Sequence, residues 1–222
     1  MRALPCLLLI LALPLAATLN RSKPSYPIVD TGQSSCYGAR GPITNPGPGQ
    51  PFYGQDAQVQ GAQPLYRDNG DGTISDLQTG LTWVKARGQK MTWNQAMAGA
   101  SACRAGGHSD WRVPTIKELY SLIDFRGECH GPMAASKPFL ATGYFDFAYG
   151  DTSRGERSID CQDWSATQYV ETTMGGNPTV FGVNFADGRI KGYPKSVFGR
   201  DHRLFVRYVR GNPRYGHNDF HD

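Results

Sequence analysis

Apolar residues recur at helical spacing in two stretches of this chain; elsewhere they sit in short runs between turn signals. The clearer stretch is 109–124, SDWRVPTIKELYSLID. Ile116, Leu119, Tyr120, Leu122 and Ile123 fall on one face of a short amphipathic helix. Thr115 is its predicted N-cap, and Glu118 lies where a capping box needs a carboxylate to reach back to the cap. Pro114 holds the entering chain extended, and Trp111 and Arg112 lead into the turn. The second stretch opens at Met91. Thr92 and Gln95 form another capping box, and Trp93, Ala96, Met97, Ala100 and Cys103 share a face. Gly106 and Gly107 end it, so Cys103 is expected to point inward.

The remaining pattern predicts strands. In 64–85, two turn signals separate β-prone pieces: Asn69-Gly70-Asp71-Gly72 and Gln78-Thr79-Gly80. The acidic turn invites a calcium reading. Aligning Gly72 with the glycine of a helix-loop-helix calcium loop puts Arg67 and Gln78 where carboxylates are required, so hairpin turns are favoured. Trp164 to Val170 reads as a strand, and Thr179 to Phe185 with Arg189 to Tyr193 as a hairpin whose apolar face carries Phe181, Val183 and Phe185. Leu204 to Arg210 reads as the final strand. Arg207 alternates there with apolar neighbours, so it should stack on aromatics or pair with a buried carboxylate. Between Arg126 and Asp163 the chain is irregular and aromatic, the kind of long structured loop that often binds.

The ends differ from this body. Met1 to Ala17 has one Arg, an apolar run and small residues, the pattern of a secretory signal peptide cleaved near Ala16 or Ala17. It is too short for a good membrane span, and no other segment approaches one. Removal leaves about 205 residues, enough for one sizeable core or two small ones. Residues 18–63, rich in Gly, Pro, Gln and Ser, read as an arm pinned to the body through Cys36, Phe52 and Tyr53. The body spans 64–211, and 212–222 is a polar tail whose His217 and His221 are a poor metal site beside a frayed end.

Four cysteines remain after Cys6: Cys36, Cys103, Cys129 and Cys161. An even count in an exported chain points to two disulfides, expected as Cys129 with Cys161 and Cys36 with Cys103, although three pairings and a reduced state stay open. No C-x-x-C pair occurs, so no metal site and no cofactor is predicted.

Six segments carry a family resemblance: DNGDGTISDLQTGLTW, MTWNQAMAGA, SDWRVPTIKELYSLID, DWSATQY, VFGVNFADGRIKGY and FVRYVRG. In this order, over roughly residues 26–215, the chain resembles the Lcl C-terminal domain family, a bacterial exported domain. Its signature here is Trp83, Thr92, Trp93, Trp111, Arg112, Pro114, Thr115, Glu118, Trp164 and Arg207. The family is similar in turn to formylglycine-generating-enzyme and C-type-lectin-like folds. The resemblance therefore implies an α+β, C-type-lectin-like fold: two short helices packed on twisted antiparallel sheets with long loops. Two capped helices among many short strands point to the same class.

Three functions compete. An oxidase of the formylglycine-generating kind needs a reactive cysteine pair late in the chain, and no cysteine follows Cys161. The favoured function is a non-catalytic binding module. From Arg189 to Arg214 there are eight basic residues (Arg189, Lys191, Lys195, Arg200, Arg203, Arg207, Arg210, Arg214) against Asp201 alone, within a chain of net charge +4. Loops mixing cations with aromatics suit an anionic polysaccharide, with charge supplying attraction and rings stacking on sugars. Arg189, Lys191, Tyr193, Lys195, Arg200 and Arg203 are the candidate ligand-binding residues. Family members are linked to glycan binding and adhesion, which the resemblance implies here. The tripeptides of calcium-dependent lectins are absent, since Trp93-Asn94 is followed by Gln95. Nucleic acid matches the charge but not an exported protein. The third function is a structural subunit of an envelope or extracellular layer, with the arm touching a neighbouring envelope protein and oligomers possible. The expected location is the periplasm, cell surface or medium.

Overall fold

Local signals decide where the chain turns, and long-range packing decides what it covers. In this computed structural model, residues 29–131 and 133–212 are described. The expected leader, Arg214 and the histidines of the tail lie outside the described residues.

Both capping boxes form. Helix α1 (Trp93–Gly99) starts at Thr92, whose hydroxyl accepts from Gln95 N at 3.2 Å while Gln95 Oε1 accepts from Thr92 N at 3.0 Å. Helix α2 (Ile116–Tyr120) starts at Thr115 in the same way, with Glu118 Oε2 accepting from Thr115 N at 2.8 Å. Each box satisfies two N–H groups that a helix start leaves unpaired. Both helices are shorter than the apolar pattern suggested. A tight 3-10 turn over Ala100–Ala102 ends the first helix, which keeps Ala100 buried but leaves Cys103 only half-buried. Met97, within α1 itself, is exposed. On the second, Leu119, Leu122 and Ile123 are buried but Tyr120 is not.

The strands form two main antiparallel sheets. In chain order they are β1 (Cys36–Gly38), β2 (Gly41–Ile43), β3 (Tyr66–Asp68), β4 (Thr73–Asp76), β5 (Leu81–Val84), β6 (Asp163–Gln168), β7 (Thr179–Asn184), β8 (Arg189–Pro194), β9 (Ser196–Val197), β10 (Arg200–Asp201) and β11 (Val209–Gly211). The first sheet runs β11-β5-β4-β3 and the second β6-β7-β8, with β1–β2 and β9–β10 as separate pairs. The class is thus mixed α and β with antiparallel sheets. The turns at 69–72 and 77–80 lie where the sequence put them. Asp71 accepts from Thr73 N at 3.0 Å and Asp76 from Gln78 N at 3.0 Å.

Two apolar clusters hold these layers together. One joins Ile74, Leu81 and Trp83 of the first sheet to Leu119 and Leu122 of the α2 region and to Val183 and Phe185. The other sets Ala96 of α1 against Trp164, Val180, Tyr193, Leu204 and Val206. Strand β7 therefore buries residues on both faces. Phe181 shares a face with Val183 but is only half-buried, stacked on Tyr169 at 4.1 Å.

The final strand is the largest departure. Only Val209–Gly211 pairs as a strand, with β5. The preceding residues make isolated bridges, Leu204 to Met91 and Phe205 to Asp163. Arg207 accounts for this. It is fully buried, donating to the carbonyls of Val84 (3.0 Å), Lys85 and Asp146 (2.7 Å), with its guanidinium 5.0 Å from the Phe145 ring centre. Aromatic stacking, one of the two expected fates, is realised; its hydrogen bonds go to carbonyls and not to a carboxylate. Burial lowers its pKa to about 10, while the charge of Asp163 opposes that shift.

The thiols also differ from expectation. Cys36, Cys103, Cys129 and Cys161 are all free. Cys36 donates to Asn45 Oδ1 at 3.3 Å and Cys161 lies buried against Asn184, whereas Cys129 is exposed, so the expected partners occupy different environments. A backbone bond ties the arm to the body: Thr31 O accepts from Phe125 N at 2.6 Å. Within the arm, the Asp30 carboxylate accepts from Gly61 N at 2.8 Å. Phe52 and Tyr53 stay exposed.

Candidate functional site

A cleft of about 760 Å³ is assembled from segments far apart in the chain. Its floor is the irregular run before β11. Met91 and Leu204 exchange backbone hydrogen bonds at 2.8 and 3.1 Å, and Phe205 N donates to Gln162 O at 2.9 Å. These bonds lay His202, Arg203 and Phe205 between the start of α1 and the start of β6. Arg87 supports the floor from below. Its guanidinium packs 4.1 Å from the Phe205 ring centre and donates to Cys161 O at 2.8 Å and Asp163 Oδ2 at 3.1 Å.

The loop 149–160 forms the wall. Gly150 N donates to Ser158 O at 2.9 Å, and a side chain at Gly150 would run into the Arg157 carbonyl, so only glycine fits. Lys90 ties wall to floor. Its Nζ donates to Glu156 Oε1 at 2.6 Å and to Asp160 O at 2.5 Å. The Lys90 hydrogen bond holds the Glu156 carboxyl below its usual range. Burial works against Asp160, but its pairing with Arg157 keeps that carboxyl low as well.

Charge in the cleft is largely matched. Lys90 pairs with Glu156, Arg154 with Asp151 and Arg157 with Asp160. Arg203 forms no ion pair among the described residues; its one hydrogen bond is to Gln95 Oε1 at 3.3 Å. The Arg154 and Arg157 side chains are 84% and 72% exposed. Exposed pairs of this kind contribute little, so an incoming anion can take over such an arginine at low cost.

The cleft also holds unused polar capacity. Tyr149 Oη, Tyr193 Oη and His202 Nδ1 are buried and have no hydrogen-bond partner among the described residues. A buried polar atom without a partner costs about 1–3 kcal/mol. Burial, then the charge of Asp187, pushes the Tyr193 hydroxyl above the ordinary phenol range, and it stays a neutral donor.

Of the sequence-predicted binding residues, Tyr193 and Arg203 line this cleft. The others do not. Arg189 and Lys191 sit beside Asp187, at 3.7 and 2.9 Å. Lys195 lies 3.7 Å from the Trp93 ring centre and donates to Gln168 Oε1 at 2.6 Å; desolvation lowers its pKa. Arg200 is exposed on β10. Arg210 pairs with Asp110 at 2.7 Å, and Arg112 with Glu118 at 2.5 Å. Sequence reasoning missed Lys90, Tyr149, Gln162 and His202. Its usable signal was the long aromatic loop from Arg126 to Asp163, which contributes the wall. Among the described residues no group of three or more His, Cys, Asp or Glu is placed to hold a metal ion, and no helix is long and apolar enough to cross a membrane.

Comparison with known proteins gives one positive finding. The family model described as the Lcl C-terminal domain matches residues 72–210. No curated protein and no solved structure matches the chain.

Proposed function

The chain belongs to the Lcl C-terminal domain family, and from that premise we propose that it is a non-catalytic exported module that holds an acidic glycan in the cleft between the 149–160 loop and the 202–205 run. The carrying observation is the lining: Arg203, which has no ion-pair partner among the described residues, beside the buried hydroxyls of Tyr149 and Tyr193, unpartnered among the same residues, and the ring of Phe205. Sugar recognition needs this mixture, in which neutral donors meet hydroxyls, a ring meets an apolar sugar face, and a cation meets a carboxylate or sulfate. The volume falls in the range of roughly 300–1,000 Å³ typical of small-ligand sites. We read the surrounding architecture, two short helices on antiparallel sheets with long loops carrying the site, as C-type-lectin-like.

The test is retention on immobilised heparin. Wild type is expected to be held and released by salt. Arg203→Ala should elute at clearly lower salt, Lys191→Ala near wild type because Asp187 already neutralises that lysine. Tyr193→Phe removes a hydroxyl with no internal partner, so it should weaken binding without destabilising the fold. Retention unchanged in both Arg203→Ala and Tyr193→Phe would remove the cleft from the proposal.

A second reading, docking on an envelope protein, is favoured by one observation. Val170 and Phe198 are fully exposed on loops that leave the same end of the second sheet, and Met174 is 66% exposed beside them. Light scattering across a concentration series, with Phe198→Ser as control, separates self-assembly from capture of another protein.

A further inference from the structure

We infer that the cleft is one half of a longer groove, and that its ligand is an unbranched acidic oligosaccharide lying across Arg203. This rests on the acidic-glycan reading of the cleft. A second depression of about 560 Å³ lies against the start of α1. It shares Gln89, Lys90 and Arg203 with the cleft, so the two hollows meet along those three residues.

The halves differ in chemistry. The cleft side carries charged pairs at its surface and, just beneath it, buried polar atoms without a partner among the described residues. The far side is bounded by Met91, Ala102, Cys103 and Tyr208, and the Tyr208 hydroxyl is already committed to Ala96 O at 3.0 Å. That side presents apolar surface with few free donors, suited to the flat face of a pyranose ring and not to its substituents. The junction is fixed by the helix start. Gln95 Oε1 accepts from Thr92 N at 3.0 Å and from Arg203 at 3.3 Å. The capping box of α1 therefore also positions the guanidinium that both halves share. One acidic substituent at Arg203 would leave sugar units extending to either side, into the polar cleft and along the apolar depression.

Chain length is the observable. Heparin fragments of two and eight sugar units would be titrated calorimetrically into wild type, Ala102→Trp and Arg203→Gln. Ala102 is exposed, so a tryptophan there fills the far half without disturbing the core. Wild type should bind the long fragment about tenfold tighter than the short one, equivalent to about 1.4 kcal/mol. Ala102→Trp should bind the short fragment as wild type does and lose most of the gain with length. Arg203→Gln should weaken both fragments. A long chain also gains from having more registers in which to bind; that statistical gain survives in Ala102→Trp, so a length effect unchanged by the variant overturns the extended groove while leaving the cleft in place. Equal affinity for both fragments in wild type overturns it too. Failure of both fragments to bind overturns the glycan reading and the groove together.

Discussion

Replacing Arg112 by Leu removes the guanidinium that covers the most buried carboxylate of the α2 entry. The Glu118 side chain is 0% exposed. It accepts from Arg112 at 2.6 and 2.5 Å and from Thr115 N at 2.8 Å. The leucine keeps much of the aliphatic stem, so the loss falls on the bidentate pair. Removing one partner of a buried pair typically costs about 3–5 kcal/mol, because the other charge is stranded. Here the Arg112 side chain is 38% exposed, so water can reach part of the vacated site. The lower figure of about 2–3 kcal/mol is therefore expected. In a domain of this size that lowers Tm by about 4–12 °C. The assay is urea unfolding at neutral pH, followed by tryptophan fluorescence, on Arg112→Leu, Glu118→Leu and the double variant. With both charges gone no carboxylate is stranded, so the double variant should cost less than the two singles added, with a coupling of about 1–3 kcal/mol. Additive losses, or an Arg112→Leu loss below about 0.5 kcal/mol, would show that the pair is only a surface contact.

Two further outcomes follow from buried groups. Burial raises the pKa of Asp76 above 3.8, although the N–H groups of Gln78 and Thr79 work against it. Between 3.8 and its folded value the folded state holds the proton more tightly, so wild-type stability falls as pH rises through that window. The stability of Asp76→Asn minus that of wild type should therefore grow with pH above 3.8 and then level off; a constant or shrinking difference in a pH series of urea melts counts against it. The free thiols predict an order of labelling. Cys129 should react first with an alkylating reagent, while Cys36 and Cys161 react only on unfolding, the Cys161 thiol being pushed up to about 12 by burial. Mass spectrometry of denatured, unreduced protein that finds these cysteines unlabelled would mean that they pair after all.

Sequence alone determined the features whose partners lie within a few residues. Thr92 with Gln95 and Thr115 with Glu118 are separated by one helical turn, so the residue types suffice to specify the start of each helix. The same holds for the Asn69–Gly72 turn and for the β7–β8 hairpin, where Thr179 pairs with Pro194 and Asn184 with Arg189. Family membership was legible for the same reason, because its signature is a series of such local devices. Tertiary structure alone decided which charges are free. Eight cations near the end of the chain looked alike in sequence, yet Arg207 is sealed among carbonyls, Arg210 is taken by Asp110, Lys191 by Asp187, and Arg203 faces the cleft. The choice of partner depends on contacts such as Lys90 with Glu156, 66 residues apart, and Arg207 with Val84, 123 residues apart. Desolvation and pairing act through space, and a charge count along the chain carries no record of either.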